Sequence, residues 1–374
     1  MKSAFASLIF STALHAANHD FPPLASETMT ELNAQHQLQP ISAIHGVEKG
    51  FFFTGSALYW KADMDHLEYA TLAHIETTGN QSESDGRIKD LDFEWGPGGQ
   101  LEIGYIFNQR EGWKASLNGL HLCSRAHGST HVPSTDFRTH QLSPNWFPPF
   151  TGEFTTKASA HWNLNFNTLD LTLGRDFFVS KWISFSPYFG LQGAWIGQTY
   201  KAKYDAFFVT GDGLLFRNNH LNFHHDFKGF GFEFGSGFLF HIIDQFGIVG
   251  NLEGSLVWGY SSTSQRVNGG FPIEGEGIFN QKIHLHTKNH RLRSSLSSEL
   301  GFIWEKFWDQ NSRRFSLSAT YAYSIWFNQG EFQNLFLSSN ALNDQAVAYN
   351  FPVYERENAD LQLQGVSLRA GLEF

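Results

Sequence analysis

From Gly50 to the C-terminus the chain alternates apolar and polar positions with a period of two. Period two places successive side chains on opposite faces of a strand, so each such run predicts a strand with one apolar face. In GQLEIGYIF, Leu101, Ile103, Tyr105 and Phe107 share a face, with Gln100, Glu102, Gly104 and Ile106 between them. In GFGFEFGSGFLFHI, residues 229–242, five phenylalanines lie on one side; glycines, Leu239 and Glu233 lie on the other. The same pattern returns in GWKASLNGL, FGIVGNLEGSLVWGY, HRLRSSLSSELGFIW, RRFSLSATYAYSIWF and the terminal VSLRAGLEF. HWNLNFNTLDLTLGRD changes phase: Trp162, Leu164 and Phe166 give way to Leu169, Leu171 and Leu173. A β-bulge near Asn167–Thr168 would absorb that slip. Pro187, inside WISFSPYFGLQGAW, suggests another.

The connections alternate in length. Near 107–113, 176–182, 242–248 and 306–314 they are short. Between these lie long polar stretches, roughly 61–97, 124–158, 197–227, 261–288 and 328–360, expected as loops. Ten segments are clear. HLEYATLAHIE with RIKDLDFEW, and YKAKYDAFFVT with NFHHDF, could each add a pair, so an even count of about 10–14 strands is expected.

Alternation alone suits a soluble β-sandwich as well as a membrane barrel. Three features favour the barrel. The regular runs often reach 10–16 residues, whereas a tilted membrane-crossing strand needs about 9–11 and an average strand has about 5–6. The polar face is small and hydrophilic yet carries scattered charges, which suits a wet lumen. Aromatic residues gather near strand ends (Tyr59, Trp60, Trp95, Trp113, Trp182, Trp195, Trp258, Tyr260, Trp304, Trp308 and Trp326), as interfacial girdles do. The expected fold is all-β: a transmembrane antiparallel β-barrel. Lipid offers no partner to backbone groups, so such a sheet has to close on itself. With the apolar faces turned to lipid, the inward-facing, pore-lining charges are Glu102, Lys114, Asp170, Glu233, Glu253, Arg291, Arg293, Glu299, Arg314, Arg369 and Glu373. Six are acidic and five basic, a mixture that suggests general diffusion rather than strong charge selection.

Composition fits this picture. The 374 residues include 38 Phe and 35 Gly, yet only 17% are charged. Mean hydropathy is −0.30, unremarkable because alternating faces cancel in an average. A net charge of −10 disfavours nucleic acid as a partner. Cys123 is the one cysteine, which leaves neither an intramolecular disulfide nor a cysteine metal cluster. Residues 1–17, MKSAFASLIFSTALHAA, have the short basic start, apolar run and small-residue end of a signal peptide. Residues 18–49 read as a polar N-terminal extension, and 50–374 as the barrel domain. Eighteen histidines fall mostly in the expected loops; HLH at 284–286 has a spacing that can bind zinc or copper, although polar loop histidines are the simpler reading. HExxH, G-x-S-x-G and P-loop patterns are absent, so no enzyme, cofactor or metal centre is expected.

FFFTGSALYWKADMDHLEYA resembles the major-outer-membrane-protein-like porins of Chlamydia-related bacteria and the related pore-forming outer-membrane family of Legionella. Leu58–Ala62 and Leu67–Ala70 carry the likeness, with WGPGGQLEIGY, GWKASLNGL and, most specifically, 169–196. The resemblance runs from about residue 50 to 374 and implies a surface-exposed porin of the bacterial outer membrane that admits small hydrophilic solutes. Chlamydial members are rich in cross-linking cysteines; with Cys123 alone, this chain departs from them. The expected partners are outer-membrane lipid and small hydrophilic solutes and ions, with association into homo-oligomers left open. The alternative is an adhesion or binding barrel, whose long loops engage a host or envelope component.

Overall fold

The computed structural model describes residues 49–78, 81–108, 112–133, 139–146, 153–180, 182–210, 213–273, 277–308, 313–340 and 349–374. The expected signal peptide at 1–17, and all but the last residue of the extension at 18–49, lie outside them.

The strands are β1 (Gly50–Met64), β2 (Ala70–Thr78), β3 (Gln81–Lys89), β4 (Asp92–Phe93), β5 (Trp95–Asn108), β6 (Trp113–His131), β7 (His140–Pro144) and β8 (Glu153–Arg175). They continue with β9 (Phe177–Phe178), β10 (Ile183–Thr210), β11 (Gly213–Ile243), β12 (Phe246–Ile273), β13 (Gly277–Trp308), β14 (Arg313–Asn340) and β15 (Tyr349–Glu373). Among the described residues, ten form a closed antiparallel ring in the order β1-β5-β6-β8-β10-β11-β12-β13-β14-β15, and β15 returns to β1. Phe51 N donates to Phe374 O at 2.8 Å and Phe374 N to Phe51 O at 3.0 Å, which seals the two chain ends at the short-turn rim. Closure supplies the backbone pairing that lipid cannot. HLEYATLAHIE and RIKDLDFEW do form strands, but β2 pairs with β3 and β7, and none of the three belongs to the ring.

The phenylalanines of 229–242 face outward: Phe230, Phe232 and Phe234 are 60%, 70% and 58% exposed, whereas Glu233 between them is 4% exposed. Cross-strand register extends this face across neighbouring strands into a continuous band. The row Gly193, Phe230, Trp258 and Leu292 lies within it. The next row, Trp195, Lys228, Tyr260 and His290, marks its edge. In the rows just beyond that edge the outward side chains turn polar.

The strands continue far beyond the band, which corrects two expectations. Much of the expected loops is strand: 197–210 pairs with 213–227, and 261–273 with 277–289. YKAKYDAFFVT and NFHHDF are therefore upper parts of β10 and β11, not an added pair. The phase slip at Asn167–Thr168 contains no bulge, since β8 stays in unbroken register there with both β6 and β10. The apolar residues change sides instead. Leu169 and Leu171 face lipid below the edge, whereas Trp162, Leu164 and Phe166 face inward above it, where Asn163 and Asn165 meet water. Pro187 is also unbulged: β10 pairs with β8 only from Tyr188 onward, so the missing N–H falls where that neighbour has ended. Trp60 and Trp326 are buried rather than girdle residues, because their inward positions fall in the apolar upper interior. Trp95, Trp182, Trp195 and Trp258 are exposed, as girdle residues must be.

Phe234→Arg, near the middle of the band, is expected to cost about 2–4 kcal/mol of barrel stability. Denaturant titration of the refolded protein in lipid vesicles measures it; an unchanged midpoint would contradict the outward assignment.

Candidate functional site

The interior has two layers. Within the band, inward positions are serine, threonine, asparagine, glycine and charged residues; these line a cavity of about 310 Å³. Glycine on the inner face of β11 makes room for one wall: a Cβ at Gly235 would run into the Tyr188 hydroxyl. That hydroxyl reaches Glu253 Oε2 at 3.0 Å, and the Asn251 amide donates to it at 3.0 Å.

All eleven sequence-derived charges sit at inward positions, at three heights. Glu102, Lys114, Asp170, Glu233, Glu253, Glu299 and Arg369 line the cavity. Arg369 Nη2 pairs with Glu299 Oε2 at 3.2 Å, and Thr320 also donates to Glu299. Lys114 Nζ reaches Asp176 at 2.9 Å. At the short-turn rim Arg314 joins Glu305, at 3.0 Å, and Glu373; His241 Nε2 lies 2.8 Å from the other oxygen of Glu305. At the top of the band Arg293 Nη2 and Arg291 Nε converge on Glu331 Oε1 at 2.6 and 2.9 Å. Among the described residues the five basic side chains are thus each paired. Among the described residues the carboxylates of Glu102, Asp170, Glu233 and Glu253 have no such cationic partner. Asp170 Oδ2 accepts from Asn118 at 3.3 Å and Thr168 at 3.4 Å. Asp170 Oδ1, Glu233 Oε2 and Gln192 Oε1 are buried without a hydrogen-bond partner. All three are acceptors, so the cavity suits donors: water and cations.

Above this layer the interior becomes mainly apolar, with Gln198, Asn219, His225, Gln265 and Gln329 buried among aromatic and aliphatic side chains. Trp146, which follows β7, enters the barrel and packs against Tyr200, Phe223 and Phe332 at ring distances of 4.6, 6.2 and 5.2 Å. Its indole donates to Glu68 O at 3.0 Å, and Tyr204 donates to Tyr69 O at 2.9 Å. Phe166 meets Trp326 edge-on at 5.5 Å. The segments 67–70 and 139–146 thereby stop the outer mouth. His225 lies inside this core above the band; it shares a hydrogen bond with Thr263 at 3.0 Å, and burial pushes its imidazole down to about 4.

Sequence reading missed Glu305, Glu331, Asp176, Gln192 and Trp146. Glu305 keeps the inward parity of Arg293 and Glu299 and was legible on that ground. Glu331 and Trp146 lie in stretches expected as loops. His284 and His286 are exposed on the outer face of β13. Among the described residues no three His, Cys, Asp or Glu side chains are placed to hold a metal ion.

The family model for the Legionella pneumophila major outer membrane protein precursor matches residues 45–374. No curated protein matches. Among solved structures, the outer membrane protease OmpT from Escherichia coli shares 10% identity, over 87% of this chain and 96% of its own, with a TM-score of 0.36. OprG from Pseudomonas aeruginosa shares 9%, over 88% and 98%, at 0.24. A Pseudomonas aeruginosa FadL homologue shares 11%, over 86% and 90%, at 0.23.

Two outcomes test the layers. Glu331→Gln leaves Arg293 buried without a counter-charge and is expected to cost about 3–5 kcal/mol in a denaturant titration. His225 gives a pH dependence. An unfolded histidine titrates near 6.5, so below that value the unfolded chain takes up a proton that the folded one refuses. The contribution of His225 to stability should therefore fall as pH drops from about 6.5 to about 4 and change no further below. His225→Gln should flatten that part of the profile.

Proposed function

The chain belongs to the Legionella pneumophila major outer membrane protein family, and on that premise we propose that it is an outer-membrane channel for small hydrophilic solutes and ions, closed at its outer end by the Trp146 segment. The observation that carries this reading is the cavity at membrane level, walled by fixed charges of both signs. A barrel serving only as an anchor has no need of unpaired carboxylates in its lumen. The likeness of Leu58–Ala62 and 169–196 to the porins of Chlamydia-related bacteria supports the same reading. On it the chain catalyses nothing, and the long outer strands present its surface to the exterior.

The charges sharpen the expectation from sequence. The basic residues are neutralised by Asp176, Glu299, Glu305, Glu331 and Glu373. Glu102, Asp170, Glu233 and Glu253 face the lumen with no basic partner among the described residues. The permeating path therefore favours cations rather than treating both signs alike. Opening requires the plug to move: Trp146 packs between Tyr200 and Phe332, on strands of opposite sides of the ring, above the cavity. That same packing favours a second reading, a permanently closed barrel whose outer half binds a surface component.

Single-channel recording in planar bilayers separates the two. The channel reading expects conductance steps from the wild type, a reversal potential on the cation side, and longer or larger openings in Trp146→Ala. Glu233→Gln should weaken the cation preference while leaving folding unchanged. Silence from both the folded wild type and folded Trp146→Ala would reject the channel and support the closed binding barrel.

A further inference from the structure

The outer face of β10 to β13 above the apolar band carries a charge pattern unrelated to the lumen. Register aligns its outward side chains in rows. Upward from the edge row of Trp195, Lys228, Tyr260 and His290 come Gly197, Asp226, Ser262 and Lys288. Next are Thr199, His224, Ser264 and His286, then Lys201, Asn222, Arg266 and His284. Neighbouring strands lie about 4.8 Å apart and successive rows about 6.7 Å, so these side chains form one panel. Lys201, Lys228, Arg266 and Lys288 are all exposed. Among the described residues none of the four has a carboxylate partner in an ion pair. The panel's one acid, Asp226, is already engaged by His224 Nε2 at 2.9 Å.

This excess of positive charge stands on a chain whose net charge is −10, so it is a local feature and not a reflection of composition. Its position identifies the partner. The panel begins one row above the lipid-facing Phe230, Trp258 and Leu292, at the height where the headgroups of the outer leaflet lie. It faces sideways into that leaflet, away from the lumen. Trp195 and Tyr260 mark the interface beneath it, and His290 stacks on Trp258 at 5.3 Å. Lysine and arginine at such a height attract anionic headgroups, and arginine can bind a phosphate in bidentate fashion.

We infer that the outward panel of Lys201, Lys228, Arg266 and Lys288 is a binding surface for the phosphate groups of an anionic glycolipid in the surrounding outer leaflet. The panel spans three row spacings, about 20 Å, a height that fits a phosphorylated saccharide headgroup better than a single phosphate. Binding of this kind holds the barrel at a fixed depth, since the charges engage only when the apolar band is centred in the lipid. It stands apart from the lumen and from any channel activity.

The test uses the full-length protein reconstituted in phospholipid vesicles, with purified lipopolysaccharide added either intact or chemically dephosphorylated. Binding is read by titration and by the temperature at which the folded form is lost on gels. The wild type should bind intact lipopolysaccharide, more weakly at higher salt, and gain thermal resistance from it. The combined variant Lys201→Gln, Lys228→Gln, Arg266→Gln, Lys288→Gln should bind on the order of a hundredfold more weakly. A control, Arg87→Gln with Lys89→Gln on β3, should bind as the wild type does. Dephosphorylated lipid should bind the wild type as poorly as intact lipid binds the variant, a comparison that holds even if the variant folds badly. Equal binding by wild type and variant, equal binding of the two lipids, or full competition by equimolar inorganic phosphate would each overturn the inference.

Discussion

The structure depends on one constraint: within lipid every backbone N–H and C=O has to be paired inside the protein. Closing β15 onto β1 meets it, and closure fixes much else. Once ten strands run around a ring, each residue's parity within a regular stretch decides whether it faces in or out. Phe230, Phe232 and Phe234 then face lipid and Glu233 the lumen. Apart from the register shifts at Asp205/Ala206 and Trp326/Gly330, the same parity carries upward, so the identity of each residue beyond the band is set by a different pair of surroundings.

That change of surroundings organises the interior. Inside the band, lipid takes the apolar side chains and the lumen receives the polar ones. Above it, water takes His161, Asn163 and Asn165, and the interior receives Trp162, Leu164 and Phe166. A strand that is amphipathic twice, with opposite sense, yields a polar chamber below and a mainly apolar stopper above. The chamber keeps buried arginines by pairing them, as Glu331 does for Arg293; leaving such a charge bare would be far more costly. The stopper is completed by Trp146, drawn from a connection into the barrel mouth.

Membership of the Legionella outer membrane protein family and the closed ring agree on where the molecule resides. The two layers bear differently on what it does there. A charged chamber at membrane depth is what a channel requires, and an aromatic stopper is what a channel has to displace. The distribution of charge matters more than its total. Six acidic and five basic residues look balanced in the sequence, yet ion pairing consumes the bases and leaves carboxylates facing the cavity. The outward lysines on β10 and β11 belong to neither layer and look onto the leaflet instead.

The sequence by itself determined the strands, their alternating faces, the even closed ring and the inward side of all eleven charges. Those follow from period two and from the requirement that apolar faces meet lipid, both local to each strand. It did not determine which carboxylates are neutralised, because Arg291 and Arg293 find Glu331 some 40 residues away across neighbouring strands. Nor did it distinguish a bulge at Asn167–Thr168 from a crossing of the membrane edge. Both shift the apolar residues by one, and only pairing with β6 and β10 shows that the backbone stays regular while the solvent outside changes. The stopper was equally hidden. Trp60, Trp146 and Trp326 have the composition of girdle or loop residues, and only the tertiary structure, by bringing their strands and connection around one axis, made them the core of the outer half.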